Sequence, residues 1–298
     1  MKTLTVFTPT YNRAHTLRRV YESLCTQTCD DFEWLVIDDG STDFTGQLVN
    51  GFIRENRIPV RYIHKENGGL HTAYNTAYAN IDTELSVCVD SDDFMPEDAV
   101  EIIIAEWRGR NNGKYLGLIG LDFSADSMLP IGGYFPDNLK ECYFIDLYLK
   151  NIHRGDTKPV LRTDLMKQVS PQIGFPGEKN FNPVYSLLKA GDSLPLLVIN
   201  KNLCFVDYQT GIDSMSEGIF RQYVESPRSF AKLRILEMAL KRNTLRNKIR
   251  CAIHYVASCR LGKIPNCISS SPLPVLTAAV YPVGILLASY IRRKASKC

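Results

Sequence analysis

The chain has 298 residues, 45% of them apolar and 22% charged, a balance that suits a globular protein able to bury a full core. Its five histidines are scattered and its nine cysteines show no paired metal spacing, which argues against a His-rich zinc site or a disulfide scaffold and for reduced thiols in a cytosolic compartment. The small net charge of +3 hides an excess of 14 Lys and Arg over one acid, Glu237, from Arg228 onward; the rest of the chain is acidic, with 21 basic against 31 acidic groups.

No apolar stretch opens the chain, so no signal peptide is expected. Leu4 to Phe7 reads as a short strand running into the polar turn Thr8-Pro9-Thr10-Tyr11-Asn12-Arg13, and a helix is expected over about 14–26. Phe32 to Ile37 is a second strand, ending in Asp38-Asp39-Gly40-Ser41-Thr42-Asp43, with a helix to about Glu55. Val60 to His64 is a third, ending in Glu66-Asn67-Gly68-Gly69, with a helix over about 70–80. The apolar run Leu85 to Val89 is a fourth strand, and it ends in Asp90-Ser91-Asp92-Asp93. Alternation at this spacing predicts an α/β fold with a mostly parallel sheet and helices on both faces. Ligands of such sheets bind beyond the carboxyl ends of the strands, so the turns at Tyr11, Asp39, Gly68 and Asp92 converge on one crevice.

The acidic turn organises this reading. If the pleat persists, Asp90 and Asp92 face one side and Asp93 the other. Like charges so close need a positive partner, and a hard divalent cation with oxygen ligands fits. The alternative is a solvated acidic turn with one Asp capping the helix near Pro96. Beyond that helix, Leu116 to Leu121 is a strand. An irregular region follows, then a loop at 173–181, a helix at about 183–190, and two strands at 194–199 and 203–208.

In order and spacing, Thr8-Pro9-Thr10-Tyr11-Asn12, Asp38 to Asp43, Asn67-Gly68-Gly69 and Asp90-Ser91-Asp92-Asp93 resemble the motifs of family 2 glycosyltransferases, which have the GT-A fold. The resemblance is strong over about residues 1–125 and weaker to about 220. It implies inverting transfer from a nucleotide-sugar, with Mg²⁺ or Mn²⁺ as cofactor and a saccharide or lipid-linked acceptor. Within it, Tyr11 stacks on the base, Pro9 holds its turn extended and Asp39 accepts the imino N–H of uracil. Gly68 and Gly69 allow close backbone approach. Asp92 is the principal metal ligand, and Asp90 contacts ribose or supports the ion. Asp43 reads as a helix cap, as Asp38 does by one reading. His71 and Asn75 share a helix face and support the crevice wall. The family's late acid, which takes the acceptor's proton, matches Glu178 in Gly177-Glu178-Lys179-Asn180-Phe181. The second acid of the family pattern is missing there, and Asp213 is the reserve. No G-x-x-x-x-G-K-[ST] or G-x-G-x-x-G loop competes.

These expectations divide the chain into a catalytic domain over 1–225, with a nucleotide-sugar half to 95 and an acceptor half beyond it, and a basic helical extension over 226–298. In that extension Leu245 to Gly262 reads as a basic amphipathic helix. Leu273 to Ile291 is uncharged and long enough to span a bilayer, but Pro274 and Pro282 interrupt it, and a span would export the cationic cluster Arg292-Arg293-Lys294. A re-entrant or interfacial hairpin is expected instead, holding a cytoplasmic protein on the anionic inner face of the cell membrane. Two rivals remain: a GT-A domain that binds nucleotide without catalysis, and a nucleic-acid-binding protein using the basic tail. The apolar stretch within the tail speaks against nucleic acid as the partner.

Overall fold

The computed structural model describes residues 2–111, 113–207 and 218–296. The chain forms two compact units. The first comprises Met1–Gly68, Thr72–Pro171 and Ser193–Tyr208; the second comprises Gly69–His71, Gln172–Asp192 and Gln209–Cys298. This division does not follow a single break after residue 225. The reason is local: 193–208 supplies a strand to the sheet of the first unit, whereas the helix within 172–192 packs on a later helix of the second.

In the first unit the expected alternation is present. It runs β1 (Leu4–Thr10), α1 (Leu17–Cys25), β2 (Phe32–Asp38), α2 (Thr45–Glu55), β3 (Val60–His64), α3 (Leu70–Asn80), β4 (Leu85–Cys88) and α4 (Ala99–Arg110). The elements β5 (Gly117–Ser124), β6 (Glu141–Cys142), α5 (Phe144–Leu149), β7 (Thr157–Arg162), α6 (Thr163–Val169) and β8 (Leu196–Val206) follow. The sheet order is β3-β2-β1-β4-β7-β5-β8-β6. β1 is parallel to β2 and β4, β2 to β3, and β5 to β8. β7 runs antiparallel between β4 and β5, and β6 is antiparallel to β8. The sheet is therefore parallel through its first four strands and mixed beyond them.

Helices lie on both faces because the strands alternate. Leu4 and Val6 of β1 join Trp34, Val36, Leu85 and Val87 in one core with α1, α2 and α4. In that core the rings of Tyr21 and Phe52 stack at 3.9 Å, with Trp34 beside them. Phe7 points the other way, its ring 5.1 Å from Tyr74 and 5.7 Å from Tyr78 of α3. Two strands expected at 194–199 and 203–208 are one strand, β8, whose pairing with β5 shifts register near Asn202. There the Asn200 side chain binds the backbone of Phe135 twice, at 2.8 and 2.9 Å, and Asn202 accepts from Cys204 N–H at 3.1 Å. Side-chain amides thus replace ladder bonds without ending the strand.

The second unit is helical: α7 (Val184–Gly191), α8 (Ile219–Glu225), α9 (Pro227–Ala239), α10 (Leu245–Leu261) and α11 (Pro274–Ala295). α10 packs against both α9 and α11. Cys251, Ala252, Tyr255, Val256, Ala257 and Cys259 of α10 are all buried. Of the apolar stripe of α10, Ala252, Val256 and Ala257 are core, while Leu245 and Ile249 stay exposed, which corrects in part the expectation of an amphipathic helix facing a membrane. α11 is one continuous helix of 22 residues through Pro282, not a hairpin. Pro282 deprives the Ala278 carbonyl of a partner, but both residues are exposed, so water can serve it.

Candidate active site

The turns after β1 and β2 are tied together by Asn12, which adopts φ +53°. Its side-chain oxygen accepts from the N–H groups of Thr42 (2.8 Å) and Asp43 (3.3 Å), and its own N–H donates to Ser41 Oγ (2.8 Å). This leaves Tyr11 49% exposed at the end of β1, where a flat ligand can reach its ring. Pro9 is buried within β1, in register with Ile37. Asp43 accepts from Thr45 N–H (3.0 Å), Thr45 Oγ1 and Ala14 N–H (3.1 Å), so it holds the start of α2 as expected. Burial pushes its carboxyl up, but these hydrogen bonds outweigh burial and hold it low. Asp38 is buried and structural: it accepts from Ser41 N–H (2.8 Å) and Tyr62 OH (2.6 Å).

Asp39 joins three strand ends. Its N–H donates to Thr10 O (2.9 Å), and its carbonyl accepts from Asn67 (2.8 Å). Its carboxylate accepts from Lys65, from Gly68 N–H (3.0 Å) and from Thr72 Oγ1 (3.3 Å). Gly40 between these turns has φ +85°, and a Cβ on it would lie 2.8 Å from Asn67 N, so only glycine fits. A Cβ on Gly68 would meet Thr72 Oγ1 at 2.7 Å. Gly69 belongs to the second unit. It has φ +91°, and its Cβ would lie 2.2 Å from Lys179 O, so protein backbone already requires this glycine. His71 is buried in the same unit beside Gly174 and Phe181.

The acidic turn closes with Asp93 N–H donating to Asp90 O at 3.1 Å. Asp90 is exposed, Asp92 half-buried and Asp93 buried; β4 ends at Cys88, so it is this turn and not a continued pleat that separates them. Burial raises the Asp92 carboxyl, and the negative charge of Asp90 raises it further, against Arg13 and Arg19. Arg19 donates to the Asp92 carbonyl and pairs with Asp207 at 2.7 Å. Asp93 turns inward to Lys158 (3.7 Å), which also meets Asp122 at 3.6 Å. Burial pushes Asp93 up to about 7 and Asp122 to about 6, with the Lys158 charge opposing both. Among the described residues no group of three or more His, Cys, Asp and Glu side chains could hold a metal. Asp90 and Asp92 alone would give a hard divalent ion two carboxylate groups, and such an ion would need its remaining ligands from a diphosphate or water.

In the second unit the Glu178 carboxylate accepts from the N–H groups of Arg228 (3.0 Å) and Ser229 (2.7 Å). These are first-turn donors of α9, left without intrahelical partners, and Pro227 precedes them. Glu178 thus caps a helix, with one lone pair on each oxygen engaged. Asp213 lies outside the described residues.

The first unit brings Tyr11, Asp39 and Gly68 onto one set of joined turns, and sets Asp90 and Asp92 at the mouth of the neighbouring strand. Sequence reading missed the cations Arg13, Arg19, Lys65 and Lys158. Their partners are distant in the chain; only the place of Arg13 at the end of the Thr8–Arg13 turn and the closeness of Lys65 to the Asn67-Gly68-Gly69 turn offered a signal.

Comparison with known proteins bears on the sequence and the fold. The family model "Glycosyl transferase family 2" matches residues 5–122. "Glycosyltransferase GlyA" of Streptococcus pneumoniae is 33% identical over 141 residues, 47% of this chain and 18% of the relative. "Chondroitin synthase" of Escherichia coli is 36% identical over 105 residues, 35% of this chain and 15% of the relative. The chain spans less than a fifth of either relative's length. Among solved structures, S. aureus TarS 1-349 in complex with UDP-GlcNAc aligns with a TM-score of 0.62 at 20% identity, over 91% of this chain and 74% of that one. Mannosyltransferase PcManGT from Pyrobaculum calidifontis, in complex with GDP-Man and Mn²⁺, aligns with a TM-score of 0.55 at 17% identity, over 99% of this chain and 83% of that one. These likenesses show the GT-A fold.

Proposed function

We propose that this protein transfers a sugar from a nucleotide-sugar to a saccharide or lipid-linked acceptor in bacterial polysaccharide synthesis; the match of residues 5–122 to the family 2 model and the GT-A fold support this reading. A UDP-sugar is the preferred donor by the resemblance, in which Asp39 accepts the imino N–H of uracil; the base would share that carboxylate with Lys65, Gly68 N–H and Thr72. Tyr11 stacks on that base. Asp92, with Asp90, holds Mg²⁺ or Mn²⁺, and a bound ion would neutralise charge on the diphosphate as the sugar–phosphate bond breaks. Direct attack by the acceptor hydroxyl inverts the anomeric centre, and one acid takes the hydroxyl proton. Glu178 and Asp213 are the two candidates. The helix cap made by Glu178 shifts the weight to Asp213.

The observation that carries this reading is the joining of the Tyr11, Asp39 and Gly68 turns through Asn12, Asp39 and Asn67, next to Asp90 and Asp92. A panel of nucleotide-sugars, scored for binding and slow hydrolysis with Mn²⁺ present, tests it. A UDP-sugar should bind and hydrolyse, and Asp92→Ala should abolish hydrolysis and weaken binding without lowering Tm. Full activity of Asp92→Ala, or in EDTA, rules the metal role out. The capped state of Glu178 also favours a second reading, a GT-A domain that binds nucleotide but lacks a base. Binding without hydrolysis across the whole panel would select it.

The cationic tail is the membrane-facing part of this proposal. α11 is long and apolar enough to cross a membrane. Its Thr277, Gly284, Ala288 and Ile291 are buried, and a Cβ on Gly284 would lie 2.4 Å from Val256 of α10. Val275, Val283, Leu286 and Tyr290 are exposed, and Arg292-Arg293-Lys294 follow. A helix with one side packed on α10 cannot cross a bilayer without drawing α10 and its cations after it. We favour α11 lying on the anionic inner leaflet by its exposed stripe.

A further inference from the structure

Behind the acidic turn lies a buried ion cluster that the proposed reaction does not use. Lys158 of β7 is 7% exposed, Asp93 4% and Asp122 3%. The ammonium lies 3.7 Å from Asp93 and 3.6 Å from Asp122, and the buried Cys204 thiol is 3.9 Å from the same Asp93 oxygen. A lone lysine in such a place is costly, and so are two unpaired carboxylates; together they are tolerated because each sees the opposite charge. The cluster is also attached to the turn. Asp93 closes it on Asp90 O, its other carboxylate oxygen accepts from Asp207 N–H at 3.3 Å, and Phe94 exchanges two backbone hydrogen bonds with Phe205 at 3.1 and 2.7 Å. Asp90 and Asp92 are set by this turn, and Asp93 is its inward anchor.

We propose that Lys158 is a positioning residue of the donor site: by holding Asp93 inward it fixes the Asp90–Asp93 turn so that Asp90 and Asp92 face a bound metal–diphosphate. This rests on the glycosyltransferase reading above. Lys158 touches no substrate, and its effect passes through Asp93. It is thus confined to the part of nucleotide binding that depends on the divalent ion. The part carried by Tyr11 and Asp39, on the turns after β1 and β2, is untouched.

The test is calorimetric titration of the full chain with UDP, with and without Mn²⁺, alongside a thermal melt. Wild type should bind UDP more tightly with Mn²⁺. Lys158→Met should lose at least about tenfold of the Mn²⁺-dependent affinity and keep the Mn²⁺-independent affinity within about threefold. Because removing the ammonium alone could unfold the protein, the double variant Lys158→Met/Asp122→Asn keeps the buried charge balance. In the double variant Tm should recover and the Mn²⁺-dependent affinity should stay lost. Recovery of both would show that Lys158 only balances buried charge, and equal loss of both affinity components would show a general structural role; either overturns the proposal. Wild type that binds no UDP under either condition instead overturns the UDP-donor reading on which this proposal rests, and leaves the broader glycosyltransferase reading to the nucleotide-sugar panel.

Discussion

Asp43 and Glu178 are both acids near a helix start, and their hydrogen bonds tell them apart from what the chain pattern suggests. Asp43 was legible as a cap because its partner Thr45 is two residues away. Glu178 caps α9 from about fifty residues upstream, where no local pattern could show it. This makes a prediction at the level of one side chain. Glu178→Gln retains one acceptor oxygen and should cost roughly 1 kcal/mol of stability, the usual scale of a helix cap. Its nucleotide binding should be kept and its turnover should fall by less than about tenfold. Asp213→Asn should lower turnover by roughly 10²–10⁴-fold, the worth of a general base. The reverse pattern, with Glu178→Gln inactive yet melting like wild type, would return the base to Glu178.

Elements were legible where periodicity and partners are local. β1 to β4 and α1 to α4 appear near their expected bounds because each alternates with a short turn. β7 was not foreseen: Lys158, Pro159 and Arg162 interrupt its apolar pattern, and its place between β4 and β5 is a tertiary choice. α10 was only partly legible for a related reason: an apolar stripe does not say which of its residues another helix covers, and here Ala252, Val256 and Ala257 are covered while Leu245 and Ile249 are not. Its packing carries a pH dependence. His254 of α10 accepts or donates at Tyr223 OH across 3.0 Å, and burial, then the charges of Arg234 and Arg250, lowers its imidazole to about 4. The unfolded chain takes up this proton first, near the ordinary value of about 6.5. Stability from the neutral ring is therefore fully present above that pH and is lost as pH falls toward 4. Melts between pH 7.5 and 4.5 should show Tm falling more steeply for wild type than for His254→Gln. Equal slopes would remove His254 from the account.

For the whole molecule the decisive feature is charge segregation, an acidic body followed by a tail with 14 cations and one acid. With the exposed stripe of α11, this predicts co-sedimentation of the full chain with anionic liposomes. Each Lys or Arg near such a surface is worth about 1 kcal/mol, and the apolar contact adds a part that salt does not screen. Binding should drop only in part at high salt and be weaker on neutral liposomes. Val275→Ser/Val283→Ser/Leu286→Ser alters residues exposed on α11 and leaves its buried side intact. This variant should release the salt-resistant fraction while Tm holds. If it pellets as wild type does, α11 is not the contact.

The sequence by itself determined the α/β alternation, the crevice at the strand ends and the acids that line it, because strand period, turn chemistry and motif spacing are all local properties. Tertiary structure alone decided which charges meet. Lys65 with Asp39, Arg19 with Asp207, Lys158 with Asp93, and Glu178 with the start of α9 are ion pairs or caps between segments far apart in the chain or in different elements. A buried charge is tolerated only beside its partner, and that partner is chosen by the path of the backbone rather than by neighbours in the chain. The same holds for Ala252, Val256 and Ala257 of α10, which are core because α10 packs against α9 and α11.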